Sequence, residues 1–491
     1  VRLTLGAFVA GFATLALEVT SVRLLAPSFG ASLLVFTSVV GVILAGLAAG
    51  YVLGGRVADR RPEPRPLGWI LLAAGVLVIL LPAAARPLLA VARSAISSAS
   101  VSLFLWSLGA ATLLVMPPTV LLGMVTPFLI RLRAKEIAMV GRAAGNLSAV
   151  GTVGSILGTF APVLLLIPLL GTTSTLRLLG GLAVLTSLLF LGRKGPAAAL
   201  LSAAAMLFPA RAARPPGVLA EVESPYQHLA VEQLPDGTRI LTVNEGLAAQ
   251  STYVPGGRLS GTMYDAFLLA GAMKDGGVHT LAEIGLAGGT IAHDFQCQLP
   301  AVRVTGVELD PEVIALGRRY FTLNDPNLTV VNADGRVFLQ GTQERFDAVV
   351  VDVFRQPHIP FPFTTKEFFA LVRSRLEPGG VFLMNVAAFD HQDPLLGGIL
   401  NTIAAVFREV WVFHPSHYLN FLVLATDAPG LRERLVVNPV PAAVEDWRVA
   451  LLQGMERVPF DGVGPVYTDD RSPAEVLGDL LFLRYLAAER F

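Results

Sequence analysis

The stretch VRVTGVELDPEVIALGRRYF (Val302–Phe321) decides the fold of the second half of this chain. VRVTGVEL reads as a strand and PEVIALGRRYF as a helix. The alternation extends to both sides. Upstream, VHTLAEIG (Val278–Gly285) reads as a strand followed by a helix. Downstream come the strand LTVVNA, a short helix GRVFLQ, the strand FDAVVVD, the helix TKEFFALVRSRL and the strand GVFLMNV. Continuous apolar strands separated by helices predict a parallel sheet covered on both faces. Ligands of such sheets bind beyond the carboxyl ends of the strands.

Polar residues fall at those ends. The first strand closes on Gly285 and the small residues of LAGG (Leu286–Gly289), which let a ligand approach backbone N–H groups at a helix start. The second closes on Glu308, 23 residues after Gly285, a distance that suits bidentate bonding to ribose hydroxyls. The third closes on Asp334 and Gly335, suited to the exocyclic amine of adenine. The fourth closes on Asp352, toward the reacting end of a ligand. Each acid also has a plain reading as a helix cap or a solvated loop residue. Four in this order point to an adenosine ligand of the S-adenosylmethionine type. A nicotinamide dinucleotide fits less well, because Ala287 occupies the second glycine of the G-x-G-x-x-G fingerprint.

Toward the N-terminus, HLAVEQL, PDG and TRILTVNEG read as a small β-hairpin subdomain, and RAARPPG (Arg211–Gly217) as a linker. The first 210 residues differ in kind. Of 491 residues 53% are hydrophobic and only 15% charged, which excludes disorder and an ordinary soluble enzyme throughout. The 37 basic and 37 acidic side chains balance, but residues 1–210 carry +11 and residues 211–491 carry −11. A net-acidic second half argues against nucleic acid as a partner. The single cysteine, Cys297, excludes an internal disulfide and a thiolate metal cluster.

Apolar runs of spanning length recur at about 3–25, 31–55, 67–90, 101–130, 145–170 and 172–192, with a marginal seventh at 196–210. Basic residues gather in alternate loops: Arg56, Arg60, Arg61 and Arg65, then Arg131, Arg133, Lys135 and Arg142, then Arg193 and Lys194. This bias places the N-terminus and those loops in the cytoplasm, and with six spans the C-terminal half too. Seven spans would put that half outside. Gly46, Gly50 and Gly54 form a GxxxGxxxG row, and Gly154 with Gly158 repeats the spacing. Such rows let helices approach closely, inside one bundle or at a dimer seam. Glu18 lies within the first run, with Arg23 as a candidate ion-pair partner or with a transport or ligand role of its own.

The expected architecture is an α-helical membrane bundle of six or seven spans over 1–210, a linker and β-hairpin subdomain over 211–262, and a Rossmann-like nucleoside-binding catalytic domain of methyltransferase type over 263–491.

The stretches SPYQHLAVEQ (224–233), LTVNEGLAAQS (241–251), GTMYDAFL (261–268), AEIGLAGGT (282–290), VTGVELDPEVIALGRRYF (304–321), NADGRVFL (332–339) and FDAVVVDVF (346–354) resemble the polyamine aminopropyltransferases, of which spermidine synthase is the best known. With its apolar first half, the chain resembles the membrane-fused bacterial branch, a transporter-like domain joined to a spermidine synthase. The resemblance implies transfer of an aminopropyl group from decarboxylated S-adenosylmethionine to a diamine, with release of 5′-methylthioadenosine and no metal. It also implies roles. Gln227 would contact the sulfonium ligand's tail, and Gln250 and Tyr264 would line the pocket. Glu308 would hold the ribose, and Asp334 with Gly335 the adenine. Asp352 would be the catalytic acid-base residue. A sulfonium is already a good leaving group, so alignment of an in-line nucleophile is the main task. An ammonium must first lose a proton, the work of a positioned carboxylate.

The departures are as informative. The family's glycine-rich loop ends in an Asp that holds the aminopropyl amine, and here that position is Gly288. The family's two acids three residues apart become Asp352 and Arg355. Its Tyr-His-Glu becomes Tyr264, Asp265 and Ala266, so that Asp265 stands as a possible replacement acid. A guanidinium at 355 suits a carboxylate such as that of S-adenosylmethionine itself, or it points to solvent. In the first case the ligand's own carboxylate attacks its γ-carbon, giving methylthioadenosine and a lactone. Four functions therefore remain open: aminopropyl transfer, S-adenosylmethionine lysis, a transporter or sensor regulated by a bound nucleoside, and methyl transfer with S-adenosylhomocysteine as product. The expected location is the inner membrane, multi-pass, with a lipid bilayer and a small sulfonium nucleoside as partners, and with a homodimer possible. His358, in the Pro- and Phe-rich loop after Asp352, is a candidate substrate contact. His414 and His417 read as a turn into the last strand.

Overall fold

The structure, a computed structural model, describes the chain except residues 30–32, 99–102, 134–139, 193–216, 225, 245–248, 355–358, 416–418, 461 and 488–491. It divides into two units, Val1–Pro215 with Glu223–His228, and Pro216–Val222 with Leu229–Phe491.

The first unit is helical: α1 (Arg2–Phe29), α2 (Leu33–Arg60), α3 (Pro64–Ser98), α4 (Leu103–Leu114), α5 (Met116–Arg133), α6 (Val140–Ala161) and α7 (Ile167–Leu191), with a π-helical turn at Pro162–Leu166 before α7. Four segments are long and apolar enough to cross a membrane: Arg2–Leu25, Val35–Arg60, Pro64–Leu88 and Val140–Leu191. A fifth is added if α4 and α5, bent by 53° against each other, form one broken span. The expected six or seven spans are thus met only in part. The two runs expected at 145–170 and 172–192 lie in one 52-residue segment, interrupted at Gly171, whose φ of 78° leaves the helical region. The marginal run at 196–210 falls outside the described residues.

Small residues set the helix spacing. A Cβ on Gly50 would stand 2.4 Å from the Val120 carbonyl oxygen, and one on Gly54 2.6 Å from Met124 Cα, so the α2 glycine row is packed against α5 of the same chain. Gly154 and Gly158 of α6 meet Phe8 and Phe12 of α1 in the same way. Buried hydroxyls are satisfied locally: Thr14, Thr20 and Thr119 donate to Ala10, Ala16 and Val115 carbonyls at 2.8, 2.6 and 2.8 Å. That is the economy a water-free medium demands. Leu165 and Leu169 are 57% and 76% exposed in this unit, a surface that suits lipid rather than water.

The second unit holds two sheets. Strands β1 (Val218–Glu223), β2 (His228–Gln233), β3 (Arg239–Val243) and β4 (Ala249–Tyr253) form a small sheet in sequence order. Leu229, Val231, Leu241 and Val243 pack it on Val313 and Leu316 of the helix Pro311–Tyr320. The large sheet contains β5 (Thr280–Ile284), β6 (Arg303–Glu308), β7 (Leu328–Asn332), β8 (Phe346–Val351), β9 (Leu376–Ala387), β10 (Glu409–Phe413), β11 (Asn420–Thr426) and β12 (Glu456–Arg457), in the order β12-β10-β11-β9-β8-β5-β6-β7.

The five strands read from sequence are all present, and β7, β6, β5, β8 and β9 run parallel. The sheet as a whole is mixed, which corrects the wholly parallel expectation. β11 pairs antiparallel with β9 and β10, and β12 antiparallel with β10. The short connection from Phe413 to Asn420 leaves β10 and β11 no room for the crossover that parallel pairing needs. Two apolar layers cover the sheet, one built on Ile284, Val349, Val351 and Phe368, the other on Leu281, Ala348, Val350 and Phe295. The last helix, Ala474–Ala487, lays Leu477 and Leu481 on the first layer. Chain order reverses direction across the sheet at β5 and β8, and the crevice beyond their carboxyl ends is the place where such sheets bind ligands.

Candidate active site

The loop after β5 is shaped by steric necessity. Gly285 has φ +90°, and a Cβ there would lie 2.3 Å from the Asp352 carbonyl oxygen. Its N–H donates to Val307 O at 3.0 Å. Ala287 holds a left-handed φ of 47°, a strained setting for a residue with a side chain. That twist aims its N–H at Glu308 Oε2, 2.9 Å away. Gly288 donates to Ser251 Oγ at 2.7 Å, and a Cβ there would come within 2.9 Å of Ser251 Cβ and Oγ. Thr290 Oγ1 accepts from Thr252 N–H at 2.8 Å, which ties β4 to the start of the helix Thr290–Gln298.

The strand-end acids divide by what holds them. Glu308 accepts the Ala287 amide on one oxygen and the Asp310 amide, at 2.9 Å, on the other. Burial raises its pKa, and these two amides work against the rise. Asp334 caps the helix Gly335–Gly341, with Oδ1 accepting from Arg336 and Val337 amides at 2.9 and 3.0 Å. Gly335 admits no side chain, since a Cβ would meet Ile284 Cγ2 at 2.2 Å.

Asp352 is different. Among the described residues it has one side-chain partner, Asn385 of β9, whose Nδ2 donates to Oδ1 at 2.8 Å. Asn420 of β11 donates in turn to Asn385 Oδ1 at 2.9 Å, which fixes the amide's orientation. Burial pushes the Asp352 carboxyl up to about 6, with the Asn385 bond pulling the other way. A carboxylate with that proton affinity is matched to accept a proton near neutral pH.

Tyr264 donates its hydroxyl to Ala249 O at 3.2 Å. Its phenol is held well above the ordinary range by burial, with the charges of Asp352 and Glu283 adding to the effect. The Gln250 carbonyl accepts from Ser251 Oγ at 2.8 Å. Asp265 is spent on its own loop. Its oxygens accept from the Ser260 hydroxyl and amide and from the Gly261 amide. It also faces Asp294, whose carboxyl burial and the Asp265 charge push up to about 9. Gln227 lies in the Glu223–His228 segment grouped with the helical unit, where its backbone is tied to the Ser224 hydroxyl. Arg355, His358 and His417 fall outside the described residues. His414 stacks on Phe421 with ring centroids 4.2 Å apart.

Three residues of the site escaped the sequence reading: Asn385, Asn420 and Glu283. Asn385 and Glu283 carried a signal, since each is a polar residue inside an otherwise apolar strand that is buried on both faces. Asn420 opens β11 and gives none.

The second unit is a Rossmann-like α/β domain of methyltransferase type with a mixed sheet. Residues 288–425 match the spermine/spermidine synthase domain. A probable polyamine aminopropyl transferase of Bifidobacterium longum is 31% identical over 278 residues, 52% of this chain and 61% of that protein. A polyamine aminopropyltransferase of Chromobacterium violaceum is 34% identical over 107 residues, 21% of this chain and 41% of the other. The chain thus spans between two-fifths and three-fifths of these relatives. Among solved structures, a probable spermidine synthase from Corynebacterium glutamicum aligns with a TM-score of 0.41 and 22% identity, over 52% of this chain and 97% of that one.

Proposed function

We propose that this protein is an integral-membrane, spermidine-synthase-like aminopropyltransferase that binds decarboxylated S-adenosylmethionine and cleaves its Cγ–S bond. The observation that carries the reading is Asp352. It is a carboxyl at the end of β8, beside a loop whose Gly285 and Gly288 leave no room for a side chain, oriented by Asn385 and pushed up to about 6. The nucleoside lies along the strand ends, with its ribose toward Glu308 and its adenine toward Asp334 and Gly335. The neutral amine of the acceptor attacks Cγ in line, the C–N bond forms, and the Cγ–S electron pair returns to sulfur as methylthioadenosine leaves. The proton lost by the attacking nitrogen passes to the Asp352 carboxylate. Gln250 and Tyr264 are proposed to border the substrate's tail. The helices of the first unit sit in the inner membrane, and the basic loops and the second unit face the cytoplasm.

Lysis of S-adenosylmethionine is kept as the second reading, because Ala266, Gly288 and Arg355 stand where a diamine-binding site would want acids. One experiment separates the two. Detergent-purified protein is incubated with decarboxylated S-adenosylmethionine plus putrescine, and separately with S-adenosylmethionine alone, with products followed by mass spectrometry. Methylthioadenosine and spermidine formed only in the first mixture support transfer. Methylthioadenosine and a lactone from the second support lysis. S-adenosylhomocysteine would overturn both in favour of methyl transfer. Nucleoside binding without turnover would mark a sensor.

A further inference from the structure

Glu283 is the penultimate residue of β5 and is 1% exposed. Side chains alternate across a strand, so Glu283 shares a face with Leu281 and Gly285. The register sets it level with Gly306 of β6 and Val350 of β8. Two residues further toward the carboxyl ends, on the same face of those strands, stand Glu308 and Asp352. Diagonal neighbours of this kind lie roughly 7–8 Å apart, within reach of long side chains. The Ala292 N–H meets the Glu283 carboxyl, while Oε2 is buried and has no hydrogen-bond partner among the described residues. The charges acting on it are those of Asp352, Asp294 and Glu308, and together with burial they hold it well above the ordinary carboxylate range. A buried, orphaned carboxyl among other acids is costly unless something positive and hydrogen-bonding completes it.

We propose that Glu283 receives the terminal ammonium of the donor's aminopropyl arm, with Oε2 as the accepting atom. The inference rests on the nucleoside reading of the site. With the ribose at Glu308 and the reacting carbon at Asp352, the arm on sulfur runs over the face of β5 that lies between them. The other candidate acids are unfit. Position 288 has no space for a side chain beside Ser251, and Asp265 is bound by Ser260 and Gly261. Glu283 supplies from inside the strand the charge that the loop lacks.

The test uses two neutral-sulfur nucleosides that differ only in the amine: 5′-methylthioadenosine and 5′-deoxy-5′-(3-aminopropylthio)adenosine. Affinities of the full-length protein in detergent are measured by calorimetry. The wild type is expected to prefer the aminopropyl compound. In Glu283→Gln that compound loses about ten- to hundredfold in affinity, the range of a charged hydrogen bond, while methylthioadenosine binding stays within about twofold. Equal losses for both ligands, or no loss for either, overturn the assignment. A wild type that binds neither nucleoside overturns the underlying reading instead. If Glu283→Gln fails to fold, Glu283→Asp keeps the charge and withdraws it by one methylene. A selective loss of the aminopropyl preference then supports the assignment, and an unchanged preference overturns it.

Discussion

The helical unit and the β5–β8 face solve the burial of polar groups in opposite ways. Along α1 and α5 the buried threonines Thr14, Thr20 and Thr119 turn back to carbonyls of their own helix, and close approach is managed by glycines facing backbone. These threonines need no partner from outside. On the sheet and on the helix Thr290–Gln298 beside it, Glu283, Asp294 and Asp352 are carboxyls whose pKa values burial raises. Their neighbours are acids and neutral amides rather than cations. Local satisfaction is what a scaffold requires. Charge held against its own desolvation is what a site for a cationic substrate requires. The difference teaches where to look for chemistry: in the region that is less stable than it need be.

If that contrast is right, removing a charge from the sheet and adding a methyl to the helices act with opposite sign. The largest effect is expected at Asp352. Asp352→Asn should lower methylthioadenosine release by about a thousandfold or more, at the upper end of what a proton-transfer group contributes, with nucleoside binding retained. The same substitution should raise stability. The folded carboxyl has a pKa of about 6 against an ordinary 3.8, so folding is favoured by protonation. Its penalty is absent below about pH 4, grows through pH 6 and is full above it, on the order of 1–3 kcal/mol. A thermal midpoint at pH 8 that fails to rise in Asp352→Asn would break the contrast. Gly50→Ala should move it the other way, by about 1–3 kcal/mol of overpacking, because its Cβ would stand 2.4 Å from Val120 O. Gly41, with nothing within 4 Å of a Cβ, is the control, and Gly41→Ala should cost nothing.

A third measurement sharpens the electrostatic half. Turnover should rise with pH through a midpoint near 6, as the Asp352 carboxyl becomes the ionised proton acceptor. The Asn385 bond lowers that pKa, so Asn385→Ala should shift the midpoint upward. A downward or absent shift would remove Asn385 from its orienting role.

The legible part of the molecule follows the same divide. The five parallel strands were readable because burial on both faces writes them as unbroken apolar runs, and Gly285, Glu308, Asp334 and Asp352 were readable because each ends such a run. The antiparallel pairing of β10 to β12 was not legible because pairing direction depends on the length of a connection rather than on the strand's own residues. Asn385 and Asn420 were missed because their meaning lies in a chain of bonds to Asp352 that crosses from β11 through β9. The span number is met only in part: four segments are long and apolar enough, and the break at Gly171, which parts the expected runs 145–170 and 172–192, is a matter of backbone angle that hydropathy does not carry.

The smallest expected effect concerns the one residue of the glycine loop that carries strain. Ala287 pays roughly 1–2 kcal/mol for its left-handed φ of 47°, and glycine would remove that cost while giving back about 0.4–1 kcal/mol through a freer unfolded chain. Ala287→Gly should therefore raise stability by no more than about 1.6 kcal/mol, readable as a rise of a few degrees in the melting midpoint. The sign is informative because the Ala287 amide is one of two that hold Glu308. If the strained loop is locked by that bond, the gain appears in full. If melting falls instead, the alanine methyl is packed to advantage, and the loop belongs with the helical unit's way of building rather than with the strained face of the sheet.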